Sequence, residues 1–180
     1  MQTDVVTGAF GYSGAAIARE LLAAGHQVRT LTGHPGNAPA GSSIEARPLD
    51  FADADGLERD LRGAHTLYNT YWVRFPHGRE THATAVANSR VLFDAAVRAG
   101  VQRIVHVSIT HADAASPYPY FSGKAAVEAH LRDLGVPVLR WPPDTELDGV
   151  LAPLRQPPPG VRRPVAGLPS APASASAARP

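Results

Sequence analysis

The chain has 180 residues, 44% of them hydrophobic and 18% charged, with a formal net charge of +1, which suits one globular domain with or without a tail. This balance gives no electrostatic ground for nucleic acid or an anionic membrane as partner, and the absence of cysteine excludes disulfides, thiolate metal sites and cysteine nucleophiles. No apolar run approaches the roughly 20 residues that span a bilayer, and the chain enters strand-like sequence at Asp4 with no charged or apolar leader, so a cytoplasmic location is expected.

In chain order, Asp4–Thr7 reads as a first strand, followed by a glycine-rich turn and a helix from about Gly14 to Ala24. Ala16, Ile17, Leu21 and Leu22 recur there at helical spacing, and Gly25 stands as a C-terminal stop. Gln27–Leu31 and Ile44–Pro48 are the second and third strands. Asp53 can cap a helix that carries Leu57 and Leu61 and ends at Gly63. Thr66–Thr70 is a fourth strand, Thr84–Ala99 a long helix and Arg103–Ser108 a strongly apolar fifth strand. A helix from about Tyr120 to Leu134 and a strand over Val136–Leu139 complete the series. This alternation predicts an α/β fold of the Rossmann type: a doubly wound parallel sheet with right-handed crossovers, over residues 1–140. From Trp141 the pattern collapses, since residues 141–180 hold ten of the 17 prolines. Proline breaks both periodicities, so this Pro/Ala-rich tail is expected to be disordered.

The sharpest local signal is Thr7-Gly8-Ala9-Phe10-Gly11-Tyr12-Ser13-Gly14, with glycines at GxxGxxG spacing between a strand and a helix. Gly8 allows a tight exit from the strand, Gly11 lets the backbone approach a pyrophosphate, and Gly14 lets the helix pack closely, its N–H groups facing phosphate. In this context the pattern predicts dinucleotide binding along Gly8, Phe10, Gly11, Tyr12 and Gly14.

Together with segments further along the chain, these residues resemble the short-chain dehydrogenase/reductase superfamily, in particular its extended and atypical branches, which include epimerase/dehydratase-like and NmrA-like proteins. The resemblance runs from residue 1 to about 140. It implies that Leu49-Asp50-Phe51 is the segment after strand three, with Asp50 on the adenine and Phe51 beside it. It places Tyr68-Asn69-Thr70 at the nicotinamide side, Asn88 as the asparagine of the fourth helix, and Ser108 as the active-site serine.

Tyr120-Phe121-Ser122-Gly123-Lys124 is a Tyr-x-x-x-Lys, twelve residues after Ser108. Positions i and i+4 share a helix face, and a nearby cation makes a phenol, with an ordinary pKa of about 10, a usable acid or base. The resemblance implies that Tyr120 protonates a carbonyl, Lys124 tunes the tyrosine and holds the ribose, and Ser108 hydrogen-bonds the carbonyl. The expected activity is therefore that of an NAD(P)-dependent oxidoreductase or epimerase acting on a small carbonyl or alcohol. The competing reading is a non-catalytic NAD(P)-binding regulator or structural subunit. In isolation, Tyr120 is equally a helix-start aromatic and Lys124 a solvated charge.

NAD binding usually needs an acid at the end of strand two, and none occurs between Gln27 and Ala40. Thr32, His34 and Arg29 are candidate contacts for a 2′-phosphate, which leans the expectation to NADP over NAD; Arg29 is equally a polar strand-edge residue. Tyr68, Tyr71, Trp72 and Phe75, with Arg74 and Arg79, either wall a substrate pocket or pack a loop. The histidines show no metal-binding spacing, so no metal is expected, and His106 reads as a satisfied core side chain. A small-molecule substrate is the expected partner, and helix-to-helix pairing suits a homodimer. The resemblance stops at Trp141, where relatives carry proline, and truncation through a reading-frame change is the expected cause.

Overall fold

A computed structural model describes residues 2–135 and 138–141. Its order is β1 (Thr3–Thr7), α1 (Tyr12–Ala23), β2 (Gln27–Thr32), a 3-10 turn (Pro35–Asn37), β3 (Glu45–Pro48), α2 (Ala54–Leu61), β4 (Thr66–Asn69), α3 (His82–Arg98), β5 (Arg103–Val107), α4 (Pro119–Asp133) and β6 (Val138–Trp141). The six strands form one sheet in the order β3-β2-β1-β4-β5-β6, and every pairing is parallel. The order reverses direction between β1 and β4, and an open sheet of this kind leaves a crevice at the carboxyl ends of those two strands.

Strand side chains alternate between faces, and neighbouring residues accordingly enter different cores. Val5, Leu67 and Ile104 pack with Leu57 and Leu61 of α2, Leu92 and Phe93 of α3, and Val127 and Leu131 of α4. Val6, Tyr68 and Val105 join Ile17, Ala18 and Leu21 of α1 on the other face. The sheet is thus covered on both sides, as a parallel sheet requires.

Helix starts follow their caps. Asp53 accepts from Gly56 N at 2.8 Å to begin α2. Thr81 accepts from Thr84 N at 3.0 Å, so α3 begins at His82, two residues before the start that apolar spacing predicts. Gly11 occupies the N-cap position of α1 without a side chain to cap it, which places Tyr12 in the first turn. Trp141 lies inside β6, in register with Val107, and so extends the ordered pattern one residue past the predicted boundary. The predicted tail over 142–180 and the predicted strand start at Val136 lie outside the described residues.

Two glycines set how closely α1 meets β1. Gly8 has φ +64°, a left-handed conformation that glycine adopts without strain. A Cβ on Gly14 would lie 2.1 Å from the Gly8 carbonyl oxygen and 2.7 Å from its carbon, whereas one on Gly11 would be 3.3 Å from that oxygen. Gly14→Ala should therefore cost at least about 2 kcal/mol in urea unfolding, in the range of core overpacking. Gly11→Ala should cost distinctly less, and equal losses would contradict the packing described here.

Candidate functional site

The turn after β1 is stitched to the sheet before any ligand is considered. Gly8 N donates to Leu31 O, and Ala9 N donates to the Thr30 hydroxyl, each at 2.9 Å. Beyond it, α1 starts with no side-chain cap and no acidic residue in its first turn. Its leading N–H groups and positive dipole end are thereby left to an anion. They face a cleft of about 380 Å³ lined by Gly8, Gly11, Tyr12, Ser13 and Gly14 on one side. Leu31, Thr32, Gly33 and Leu49 bound it towards β2 and β3, and Thr70, Tyr71 and Trp72 towards β4.

A buried hydrogen-bond network fixes the β4 wall. Thr7 donates its hydroxyl to Asn69 Oδ1 at 3.1 Å and accepts from Thr70 N at 2.7 Å. Asn69 Oδ1 also accepts from Tyr71 N, and Asn69 Nδ2 reaches His106 Nδ1 at 3.0 Å. Asn69 donates to that nitrogen, which makes His106 the Nε2–H tautomer. Burial, assisted by the Lys124 charge, pushes the His106 pKa down to about 3. His106 is a core residue, as the sequence implies, but only half satisfied, because Nε2 has no hydrogen-bond partner among the described residues.

Of the predicted cofactor contacts, Gly8, Gly11, Tyr12, Gly14 and Thr32 line the cleft. Phe10 is half-buried beside it, and His34 is exposed, its N–H bonded to the Thr32 hydroxyl. Asp50 lines a separate small pocket with Asp53 and Arg59. Phe51 stacks obliquely on Tyr71 with centroids 4.6 Å apart, backing the cleft wall. Asn69 faces inward and is consumed by the network, so Thr70 and Tyr71 present the wall instead. Asn88 donates to the Tyr71 hydroxyl at 2.9 Å and holds that ring in place. Arg29 is neither a strand-edge residue nor a free phosphate contact: β2 lies between β1 and β3, and the Arg29 side chain pairs with Glu45 at 2.8 Å and donates to Asp60 O.

Among the aromatic residues after β4, Tyr68 is core, Tyr71 and Trp72 line the cleft, and Phe75 is 77% exposed beneath Arg74. Trp72 also meets the predicted catalytic helix. Its ring lies 4.3 Å from Lys124 Nζ, edge-to-face with Tyr120 at 6.0 Å, and stacked with His82 at 6.1 Å. Gly123 makes this approach possible, since a Cβ there would come within 3.3 Å of the indole. Tyr120 and Lys124 therefore share Trp72 as a neighbour. Lys124 donates to Val107 O at 3.0 Å, and Ser108 donates its hydroxyl to Glu128. Neither bond is legible from the Tyr-x-x-x-Lys spacing. The signal for Glu128 is its place four residues after Lys124, on the same helix face. His82 has no comparable signal. No cluster of three or more metal-binding side chains occurs among the described residues.

The profile of the NmrA-like family matches residues 2–140. The chain belongs to the NmrA-like family. This NmrA-like chain is 35% identical over 111 residues to sterol demethylase protein B of Methylococcus capsulatus, covering 59% of the chain and 34% of that protein. It is 32% identical over 113 residues to a 3 beta-hydroxysteroid dehydrogenase/Delta 5-->4-isomerase of Mycobacterium tuberculosis, covering 58% and 30%. In fold it is similar to triphenylmethane reductase of Citrobacter sp. complexed with NADP(H), with a TM-score of 0.65 at 22% identity over 84% of this chain and 52% of that one. The chain thus spans about a third of these curated relatives and half of that solved structure. No helix among the described residues is long and apolar enough to cross a membrane.

Burial pulls the Lys124 pKa from 10.5 down to about 8, with Glu128 opposing the shift. Between pH 8 and 10.5 the folded chain then binds fewer protons than the unfolded one. The contribution to stability rises with pH across that window and is lost as pH falls through 8. Lys124→Met removes it, so the wild type should gain on the variant by up to about 3 kcal/mol between pH 7 and 10.5. Urea denaturation at both values checks this; a pH-independent gap would contradict it.

Proposed function

We propose that this chain is an NAD(P)-dependent oxidoreductase or epimerase acting on a small carbonyl or alcohol substrate, with Tyr120 as general acid/base. One observation carries the reading: an uncapped helix N-terminus, brought against β1 by Gly14, opens into the cleft at the reversal point of a parallel sheet. The donor set fits a dinucleotide, with Gly8, Gly11 and the first turn of α1 for pyrophosphate, and Thr70 and Tyr71 beside the nicotinamide. Such a cofactor, when bound, supplies hydride. The chain's own part is to hold the substrate oxygen at Tyr120, whose hydroxyl gives or takes the proton while Lys124 lies behind the same indole.

No carboxylate lines the β2 side of the cleft, where a ribose diol would be held, and this supports NADP over NAD. Arg29 is engaged elsewhere, which leaves Thr32 and His34 for a 2′-phosphate. The names of the relatives, a steroid dehydrogenase and a sterol demethylase protein, support a sterol-like substrate for the apolar wall that Trp72 offers. A second reading, a non-catalytic NAD(P)-binding protein, draws on a different observation: Lys124 lies under Trp72, and Lys124 and Ser108 are both bonded to protein groups.

Tyr120→Phe separates the two. It keeps the ring packed on Trp72 and His82 and removes only the hydroxyl. With NADPH or NADH and a panel of ketones, turnover should fall about a hundredfold or more, while dinucleotide affinity stays within about twofold. Full activity in the variant, or no turnover by the wild type on any ketone, would favour the binding protein.

A further inference from the structure

Trp72 stands between the cleft and the only lysine of the chain. It lines the cleft next to Thr70 and Tyr71, and its ring covers the Lys124 ammonium at 4.3 Å. Lys124 is 3% exposed and donates to Val107 O at 3.0 Å, so a molecule in the cleft meets the indole and not the charge. This arrangement costs both partners. The indole Nε1–H is buried with no hydrogen-bond partner among the described residues, which forfeits the bond it makes to water when unfolded. The ammonium is taken out of water as well, and its lowered pKa reflects that loss. Against these costs stand the cation–π contact and the packing of the indole on His82 and Tyr120. A side chain held by opposing terms is turned by a ligand that offers it a better contact.

We propose that Trp72 is a positioning residue that latches Lys124 in the empty site, and that the nicotinamide half of a dinucleotide turns the indole aside and opens the ammonium to the cleft. The inference rests on the dinucleotide reading above and adds an order of events to it: the charge is presented after the cofactor arrives, not before. The nicotinamide half has the matching chemistry. Its ring offers a flat face to an indole, and its carboxamide oxygen accepts from the N–H that the latched state leaves without a partner. Position agrees, because Trp72 follows Thr70 and Tyr71 on the β4 wall, while Thr32, Gly33 and Leu49 bound the cleft towards β2 and β3.

Because Lys124 is the only lysine, full-length protein grown on carbon-13 lysine gives a single ε-methylene signal in its NMR spectrum. Protons held over the face of an indole are moved upfield by its ring current, so this signal reads the latch directly. The free wild type should show the upfield position, and a folded Trp72→Leu the ordinary one. NADPH or NADH, at a concentration that calorimetry shows to be saturating, should return the wild-type signal to the ordinary position. Adenosine 2′,5′-bisphosphate and ADP, which lack the nicotinamide half, should leave it upfield. An upfield signal that persists with dinucleotide bound, or one that either adenine fragment releases, would overturn the proposal. So would a free wild type with no upfield shift, or a shift that survives in Trp72→Leu. Should that variant fail to fold, the two ligand arms on the wild type still decide. If calorimetry shows no binding of either dinucleotide, the reading of the cleft falls and this inference with it. If a dinucleotide binds and the signal stays upfield, only the latch falls.

Discussion

Everything at the cleft is measured from the place where α1 lies against the turn after β1. A methyl group at residue 14 would sit 2.1 Å from the Gly8 carbonyl oxygen, so only glycine lets the helix approach this far. Because it approaches this far, the uncapped end of α1 points its N–H groups over the carboxyl end of β1 rather than into solvent. Thr7, the last residue of that strand, then ties the same point sideways to Asn69 and Thr70, and Asn69 carries the tie on to His106 of β5. One close backbone contact and one buried polar chain thus set three strand ends in fixed relation before any ligand arrives.

The second half of the site is built by α4 on β5, with Lys124 and Glu128 taking the last backbone carbonyl and the serine hydroxyl. Trp72 joins the two halves. It lines the cleft on one side and covers Lys124 on the other. A lysine placed under an indole and against a carbonyl costs desolvation, and its lowered pKa reflects that cost. Lys124 and Tyr120 both meet the Trp72 indole, which lies 4.3 Å from the ammonium and edge-to-face with the phenol ring.

The elements are legible in the sequence wherever periodicity and punctuation agree. Val5–Val6, Leu67–Tyr68 and Ile104–Val105 alternate as strands do, and the glycine spacing locates the turn that lines the cleft. Helix starts are less legible, because the capping bond of Thr81 outranks the apolar spacing that begins at Thr84. Asn69 shows why a motif position is not a side-chain direction. Its place at the end of β4 is clear, but whether its amide faces ligand or core depends on Thr7 and His106, which are 62 residues before it and 37 after it. Glu128 is hard to single out for a similar reason: its partner, Ser108, is 20 residues away on another element.

The central claim is that the glycine turn and the bare end of α1 hold a dinucleotide. NADPH fluorescence titrated against the wild type and Gly11→Val tests it most directly, because a branched side chain at residue 11 would stand between the phosphates and the α1 N–H groups. The wild type should bind with saturable enhancement, and a folded Gly11→Val should not bind measurably. Equal affinity in the two proteins, or no binding by the wild type, would contradict the claim.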